Sequence, residues 1–198
     1  MNLALDQFEL PIRISQDRPV TDEELLRLSA ENELMRFERD ANGEVIVMTP
    51  TGTGGGRIES RVNLALGNWA VADGRGEAYG PSTGFKLPDS SVRAADAAWM
   101  SSSKWDTLDA EELKRFARAC PEFVIEVRSE SDRLVPLQAK MQMWIENGAE
   151  VAWLIDPIEK SVTIYRPGTD PEHHAHLTSV QGTGPIAGFE LVMARIWD

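Results

Sequence analysis

The chain has 198 residues, of which 42% are hydrophobic and 26% are charged. These values predict a globular α/β protein and exclude a disordered or fibrous one. A single cysteine, Cys120, excludes an internal disulfide framework and a multi-cysteine zinc site, and it predicts a reducing compartment. The formal charge of −12 weighs against a broad nucleic-acid-binding surface, because phosphate contacts usually need basic side chains. A carboxylate cluster that binds a divalent cation would reverse that charge locally.

The amino-terminal residues 1–9 carry neither the basic segment nor the sustained apolar run of a signal peptide. Elsewhere no apolar run approaches the roughly 20 residues that a membrane-spanning helix needs. The sequence therefore predicts a cytoplasmic protein without a membrane partner.

The first 50 residues contain signals for a helix and a hairpin. Thr21-Asp22-Glu23-Glu24 has the capping-box pattern and predicts a short helix to about Ala30. The segments Leu34 to Arg39 and Glu44 to Met48 flank the pair Asn42-Gly43, which adopts positive φ easily. A β-hairpin is therefore expected there.

A glycine-rich run, Thr49 to Gly56, leads into a longer predicted helix. No Lys-Ser or Lys-Thr pair follows the run and no parallel-strand pattern precedes it, so a flexible loop is favoured over a phosphate-binding loop. The helix is predicted from apolar residues at helical spacing: Ile58, Val62, Ala65, Leu66 and Trp69.

A strand–helix–strand unit is predicted in the second half of the chain. Glu122 to Arg128 is almost continuously apolar, as a strand covered on both faces would be. Arg133 to Asn147 is an amphipathic helix that Gly148 can cap, and Val151 to Ile155 is a second buried strand. Such a unit implies a right-handed parallel crossover. Weaker patterns predict shorter strands at 84–87, 93–99 and 161–166, and a turn of helix at 111–116.

We find neither an internal repeat nor a linker, and therefore expect one domain over residues 1–198. Residues 1–50 would supply an amino-terminal helix and hairpin. Residues 51–166 would form the main core, and residues 167–198 would add carboxy-terminal strands and loops.

Two acidic residues lie inside apolar strand patterns: Asp96 within Ala94 to Trp99, and Glu126 within Val124 to Val127. Burying an unpaired charge costs several kcal/mol, so each carboxylate needs a cation, a network of donors or a raised pKa. Strand alternation places Glu126 and Arg128 on one face. A structural ion pair between these two residues is the alternative to a functional role.

Lys140 and Glu59 each border the apolar stripe of a predicted helix. Taken alone, either side chain would usually extend into solvent. Two strand carboxylates together with a helix-borne lysine, however, are the groups that metal-assisted phosphodiester hydrolysis requires. Carboxylates hold Mg²⁺ or Mn²⁺, the metal activates a water molecule, and an ammonium group orients that water or stabilises the pentavalent phosphorus.

The chain also resembles a known family, the restriction-endonuclease-like proteins called Uma-two, within the PD-(D/E)XK nuclease superfamily. The resemblance covers most of the chain and implies a mixed β-sheet flanked by helices, with Asp96 and Glu126 as ligands of Mg²⁺ or Mn²⁺ and DNA as the substrate. It rests on these blocks: Thr21 to Leu25, Met48 to Gly52, Arg93 to Trp99, Pro121 to Ser129, Lys140 to Gly148 and Trp153 to Pro157.

The sequence departs from the family pattern at two positions. Ala95 stands where the family has proline, and Arg128 stands where the motif places lysine. Arginine stays protonated and cannot serve as a base. The family resemblance implies that a lysine displaced onto the following helix takes this role, and Lys140 is at the matching position. The candidate catalytic residues are therefore Asp96, Glu126, Lys140, Arg128 and Glu59.

The only histidines, His173, His174 and His176, lie in a polar segment that is expected to be a loop. No further histidine or cysteine could join them except Cys120, so a solvated tract is favoured over a zinc site.

Two classes of function follow from these patterns. The first is an Mg²⁺-dependent endonuclease that acts on DNA. The second is a catalytically inactive protein of the same fold that serves as an interaction or regulatory module. Either could be a homodimer.

Overall fold

The structure is a computed structural model that describes residues 11–197; the segment 1–9, which underlies the prediction of no signal peptide, lies outside it. The strands are β1 (Ile12–Ile14), β2 (Arg36–Arg39), β3 (Val45–Met48), β4 (Gly76–Tyr79), β5 (Phe85–Lys86), β6 (Val92–Arg93), β7 (Ala97–Ser101), β8 (Phe123–Val127), β9 (Val151–Asp156), β10 (Ser161–Tyr165), β11 (Glu172–Ala175), β12 (Ser179–Gln181) and β13 (Glu190–Val192). The helices are α1 (Asp22–Glu31), α2 (Thr53–Asp73), α3 (Ser102–Trp105), α4 (Leu134–Glu146) and α5 (Ala194–Trp197), with 3-10 turns at Glu112–Lys114 and Gly184–Ile186.

A six-stranded mixed sheet forms the centre of the fold, in the order β11-β10-β9-β8-β7-β4. Strands β8 and β9 run parallel and are joined by α4, which is the predicted strand–helix–strand crossover. The other neighbours in this sheet are antiparallel. The mixed sheet flanked by helices confirms the predicted fold class.

The central strands are buried on both faces, which explains their almost continuous apolar sequence. Alternate residues of β8, such as Phe123 and Ile125, pack in one core with α2, β12 and β13. Val124 belongs to the opposite core, which includes Met141 and Trp144 of α4. Glu126 is two residues beyond Val124, so it faces α4.

A second, five-stranded antiparallel sheet has the order β1-β3-β2-β6-β5. Strands β2 and β3 form the predicted Asn-Gly hairpin, in which Gly43 has φ = 85°. One face of this sheet packs on α1, whose capping box at Thr21 and Glu24 is present. The sheet combines strands from residues 12–48 with strands from residues 85–93, so it crosses the segment boundary expected at residue 50.

The segment from Arg93 to Asp96 connects the two sheets. The predicted strand 93–99 is divided here: β6 ends at Arg93 in the second sheet, and β7 starts at Ala97 in the central sheet. Asp96 therefore lies immediately before a strand instead of inside one. The histidine-rich segment also differs from the prediction, because His173 and His174 lie in edge strand β11, where cross-strand pairing with β10 orders them. In the described part of the chain, no helix has the length and apolar character needed to cross a bilayer.

Candidate active site

A cleft of about 370 Å³ lies where the second sheet meets the central sheet and α4. Side chains of β2 and β3, the loop Thr49 to Gly52, the loop after β8 and the first turns of α4 line it. Its charged lining residues in the described chain are Arg13, Arg36, Arg93, Arg133, Lys140, Glu38, Glu59, Asp96, Glu126 and Asp132. Cations and carboxylates are equal in number in this list, so the cleft is close to neutral although the chain is strongly acidic.

Asp96 and Glu126 meet because of the register between β7 and β8. Ala97 pairs with Ile125 in this antiparallel ladder, and one further step places Asp96 opposite Glu126. The Val127 amide donates to Asp96 Oδ2 at 2.9 Å, and Asn63 of α2 donates to the Asp96 carbonyl at 2.8 Å. Both carboxylates are almost completely buried and both line the cleft. Adjacent strands therefore hold two acidic groups at one end of the sheet.

The buried environment of Glu126 shifts the pKa of its carboxyl group upward. Burial is the main cause that raises the pKa of Glu126, and the charges of Asp96 and Glu38 raise it further, against the opposing effect of Lys140. Trp144 Nε1 of α4 donates to Glu126 Oε1 at 2.8 Å. Within residues 11–197, Oε2 accepts no hydrogen bond, so one carboxylate oxygen is held in place and the other is available to a ligand.

The Lys140 ammonium has three acceptors around it. Nζ lies 2.9 Å from Glu126 Oε1, 3.2 Å from Glu38 Oε1 and 3.1 Å from the Ala94 carbonyl oxygen. These contacts match the three donors of an ammonium group. Burial alone would lower the pKa of Lys140, but Glu126 and Glu38 outweigh burial and raise it. The lysine is therefore a fixed cation of the cleft and does not extend into solvent.

Glu38 anchors this arrangement from the second sheet. Its side chain is 3% exposed and accepts hydrogen bonds from Arg93 at 2.9 Å, the Ala94 amide at 3.1 Å and Lys140 at 3.2 Å. Burial opposes ionisation, but Lys140 and Arg93 lower the pKa of Glu38 below its ordinary value. Glu38 thus ties the linking segment and α4 to β2.

Arg36 lies on the same face of β2 as Glu38, two residues earlier. Its guanidinium NH1 donates to Asp96 Oδ1 at 3.2 Å, and about a third of the side chain is exposed. Burial works against its charge, but Asp96, Glu59 and Glu126 raise the pKa of Arg36. Both oxygens of Asp96 are therefore engaged, one by a backbone amide and one by this guanidinium.

Glu59 lies on the first turns of α2, at the side of the cleft. It is half-buried and accepts a hydrogen bond from Thr51 Oγ1 at 2.9 Å. Burial, followed by the charge of Asp96, raises the pKa of Glu59. The structure therefore places Glu59 in the same cleft as Asp96 and Glu126, although within the described residues it makes no direct contact with either carboxylate.

Arg128 is not part of the cleft. The parallel register between β8 and β9 pairs Val127 with Ile155, so that Arg128 comes beside Asp156. Its guanidinium donates to Asp156 Oδ2 at 2.7 Å. The structure therefore shows an Arg128–Asp156 ion pair in place of the alternative Glu126–Arg128 pair, and it does not bring Arg128 to the cleft with the other catalytic candidates. The guanidinium instead fixes the turn after β9, where Asp156 also accepts from the amides of Ile158 and Glu159.

The carboxylates at the cleft fit a hard divalent cation that needs only one or two protein ligands. Among residues 11–197, Glu126 Oε2 accepts no hydrogen bond, and Asp96 Oδ1 accepts one, from the partly exposed guanidinium of Arg36. No group of three His, Cys, Asp or Glu side chains in the described chain could hold a metal ion together. Mg²⁺ commonly binds through one or two carboxylates, several waters and substrate phosphates, so two protein ligands suffice. A zinc-type site with three or four side chains does not fit.

Sequence reasoning alone did not find Arg36, Glu38, Arg93 and Trp144. The alternation of Met35 and Phe37 with Arg36 and Glu38 does show a polar strand face. Such a face normally meets solvent, and only the docking of the second sheet shows that it covers the cleft.

Comparisons with known proteins agree with this architecture. The family described as Uma2, "Putative restriction endonuclease", matches residues 22–194. A crystal structure described as "a putative nuclease belonging to DUF820 from Anabaena variabilis" aligns with a TM-score of 0.72 and 18% identity, covering 90% of this chain and 98% of the other. This likeness establishes a shared fold. No curated protein matches the chain.

Proposed function

We propose that this chain, which belongs to the Uma2 family of restriction-endonuclease-like proteins, is a divalent-metal-dependent nuclease that hydrolyses phosphodiester bonds of DNA. The observation that carries the proposal is the meeting of Asp96 and Glu126 beside the fixed ammonium of Lys140. Burying any of these charged groups costs free energy unless the group is paired and hydrogen-bonded. Their convergence in one cleft supports a chemical role for all three.

The side chains would divide the work as follows. Asp96 and Glu126 would hold Mg²⁺ or Mn²⁺, which when bound lowers the pKa of a water molecule and neutralises charge on the phosphate. Lys140 stays protonated because two carboxylates surround it, so it cannot accept the proton of the attacking water. Its contribution would be electrostatic, stabilising negative charge that develops on the phosphoryl oxygens. Trp144 and Glu38 would keep Glu126 and Lys140 in position.

The charge distribution is compatible with a nucleic-acid substrate that enters only this cleft. A chain with a formal charge of −12 repels phosphate over most of its surface. The cleft is neutral in comparison, because five arginine and lysine side chains line it. We therefore expect weak, strongly salt-dependent binding of DNA without divalent metal, since phosphate contacts release counterions.

The test is a cleavage assay on plasmid DNA, single-stranded DNA and RNA with Mg²⁺, Mn²⁺ or EDTA. Wild-type protein should cleave only with metal, and Asp96→Asn should reduce the rate by at least about 100-fold, the loss seen when one strong electrostatic group is removed. Asp73→Asn is the matched control, because Asp73 ends α2, about 21 Å along the helix from Glu59 of the cleft, and pairs with Arg75. Cleavage of RNA but not DNA would reassign the substrate. Equal cleavage by wild type and Asp96→Asn would remove the assigned site.

A second candidate function, an inactive interaction or regulatory module of the same fold, is favoured by one observation. The protein's own cations already neutralise Asp96, Glu126 and Glu38 in the cleft. Calorimetric titration with Mn²⁺ tests whether these carboxylates are permanently paired. Absence of Mn²⁺ binding would favour the inactive module, whereas binding that Asp96→Asn abolishes is required of the nuclease, whose activity the cleavage assay then tests.

A further inference from the structure

Arg36 is held less firmly than Lys140, the other cation that contacts the carboxylates of Asp96 and Glu126. Lys140 contacts three acceptors and its side chain is 19% exposed. The Arg36 guanidinium, which has five N–H donors, makes one hydrogen bond within the described residues, to Asp96 Oδ1 at 3.2 Å. Its side chain is 35% exposed. Of the two cations that contact the carboxylates of Asp96 and Glu126, Arg36 is therefore the one that can leave its partner at the lower cost.

The Arg36 guanidinium also lies where a counter-ion of the Asp96 carboxylate would lie. It contacts the outward oxygen of Asp96, and its charge is stabilised by the neighbouring carboxylates of Glu59 and Glu126 as well. A divalent cation on Asp96 and Glu126 would need the same oxygen. The divalent cation and the Arg36 guanidinium therefore compete for the Asp96 carboxylate, because they would occupy the same position at Oδ1.

We infer that Arg36 is the resting counter-ion of the cation site, and that on binding of a divalent cation its guanidinium moves from Asp96 to a non-bridging oxygen of the substrate phosphate. The second half of this inference rests on the proposed nuclease function, and the first half does not. The backbone of Arg36 stays in place in β2, and only the guanidinium changes its partner. Bidentate contact with phosphate is the interaction for which a planar guanidinium is best suited.

If this exchange occurs, replacing Arg36 should change the affinity for the divalent cation and the affinity for DNA in opposite directions. Removing Arg36 removes the competitor for Asp96, so the cation should bind more tightly. The same change removes a phosphate ligand, so DNA should bind less tightly. A purely structural ion pair would weaken both affinities or neither.

The main experiment is calorimetric titration of Mn²⁺ into wild type, Arg36→Gln, Arg13→Gln and Asp96→Asn. Arg36→Gln should bind Mn²⁺ on the order of tenfold more tightly, which corresponds to about 1.4 kcal/mol, and Asp96→Asn should lose binding. Arg13→Gln is the matched control: Arg13 also lines the cleft, on edge strand β1 of the same sheet, but pairs with Asp40. Its Mn²⁺ affinity should stay within about threefold of wild type, since an exposed charge acts only through screened solvent.

DNA binding in Ca²⁺ tests the second half. Arg36→Gln should bind DNA about tenfold more weakly than wild type, and Arg36→Lys should lie between them. Unchanged or weaker Mn²⁺ affinity in Arg36→Gln overturns the exchange. Tighter Mn²⁺ binding with unchanged DNA affinity overturns the transfer to phosphate. If both affinities change as expected but no protein cleaves DNA, the proposed nuclease function fails and the exchange stands.

A measurement on the wild-type protein removes the dependence on variant folding. The arginine Nε–H resonance of Arg36 is assigned by its absence in Arg36→Lys, and Mg²⁺ is then added to wild type. The resonance should shift as the site fills, with the midpoint at the Mg²⁺ dissociation constant. A resonance that stays unchanged while Mg²⁺ binds would refute the exchange.

Discussion

Replacing Lys140 by methionine should destabilise the protein as well as abolish cleavage. A helical wheel alone suggests an edge lysine whose loss the fold would tolerate. In the structure, Nζ instead bridges Glu126, Glu38 and the Ala94 carbonyl. Methionine keeps the packing of the aliphatic stem and removes only the charge. The substitution therefore leaves two buried carboxylates without their shared cation.

The expected cost follows from the state of those carboxylates. Breaking a buried ion pair by removing one partner costs roughly 3–5 kcal/mol, because the remaining charge is uncompensated. Two features bring the cost toward the lower limit. Glu38 keeps its contacts to Arg93 and the Ala94 amide. Glu126, whose pKa burial already raises, can take up a proton. We therefore expect a loss of about 3 kcal/mol, or roughly 6–12 °C in melting temperature for a chain of this size.

Thermal melts and urea unfolding followed by tryptophan fluorescence measure this loss directly, since Trp144 lies beside the site. Lys114→Met is the matched control, because Lys114 is mostly exposed and pairs only with Glu111. Its change in stability should not exceed about 0.5 kcal/mol. A Lys140→Met protein that melts within 1–2 °C of wild type, a change of at most about 1 kcal/mol, would show that the three contacts do not hold the cleft together.

Three further predictions concern other buried groups. Arg128→Met should lose about 2–3 kcal/mol of stability, since Asp156 is left buried, while calorimetry should show unchanged Mn²⁺ affinity; a large loss of affinity would return Arg128 to the metal site. Burial raises the pKa of the Cys120 thiol to about 12, so a disulfide reagent at pH 8 should modify it only upon unfolding, and rapid stoichiometric reaction would contradict its burial. Although burial opposes ionisation, Lys140 and Arg93 lower the pKa of Glu38. The ionised Glu38 side chain therefore stabilises the fold fully above the ordinary pKa near 4.5, and this stabilisation is lost as pH falls through the lowered pKa. The difference in melting temperature between wild type and Glu38→Gln should shrink from pH 7 to pH 3. A constant difference would show that ionisation of Glu38 does not contribute to stability.

Local patterns were enough to predict most of the elements. The capping box at Thr21, the Asn42-Gly43 hairpin and the apolar run around Glu126 each depend on neighbouring residues alone. Family resemblance then indicated which buried acids belong together. The structure adds the register by which β7 and β8 bring Asp96 opposite Glu126.

Strand register and sheet docking were beyond local patterns. Arg128 shares a strand face with Glu126, yet the register of β8 against β9 brings Asp156 closer to it. In the same way, the polar face of β2 predicts exposure, but the sheet docks that face over the cleft and Glu38 becomes buried. Both errors concern contacts between segments far apart in sequence. Periodicity within one segment carries no information about such contacts.

The charge balance at the bottom of the cleft explains how an acidic protein could admit a phosphodiester. Four carboxylates and three basic groups meet there, so the fully ionised set carries one net negative charge: Glu38, Glu59, Asp96 and Glu126 against Arg36, Arg93 and Lys140. A divalent cation changes this excess to one positive charge, which a phosphodiester monoanion balances. Cation and phosphate should therefore favour each other's binding, and this coupling is reciprocal. Nucleic-acid binders usually need a broad basic surface. Here a net positive charge would be needed only inside the cleft, and only while the divalent cation is bound.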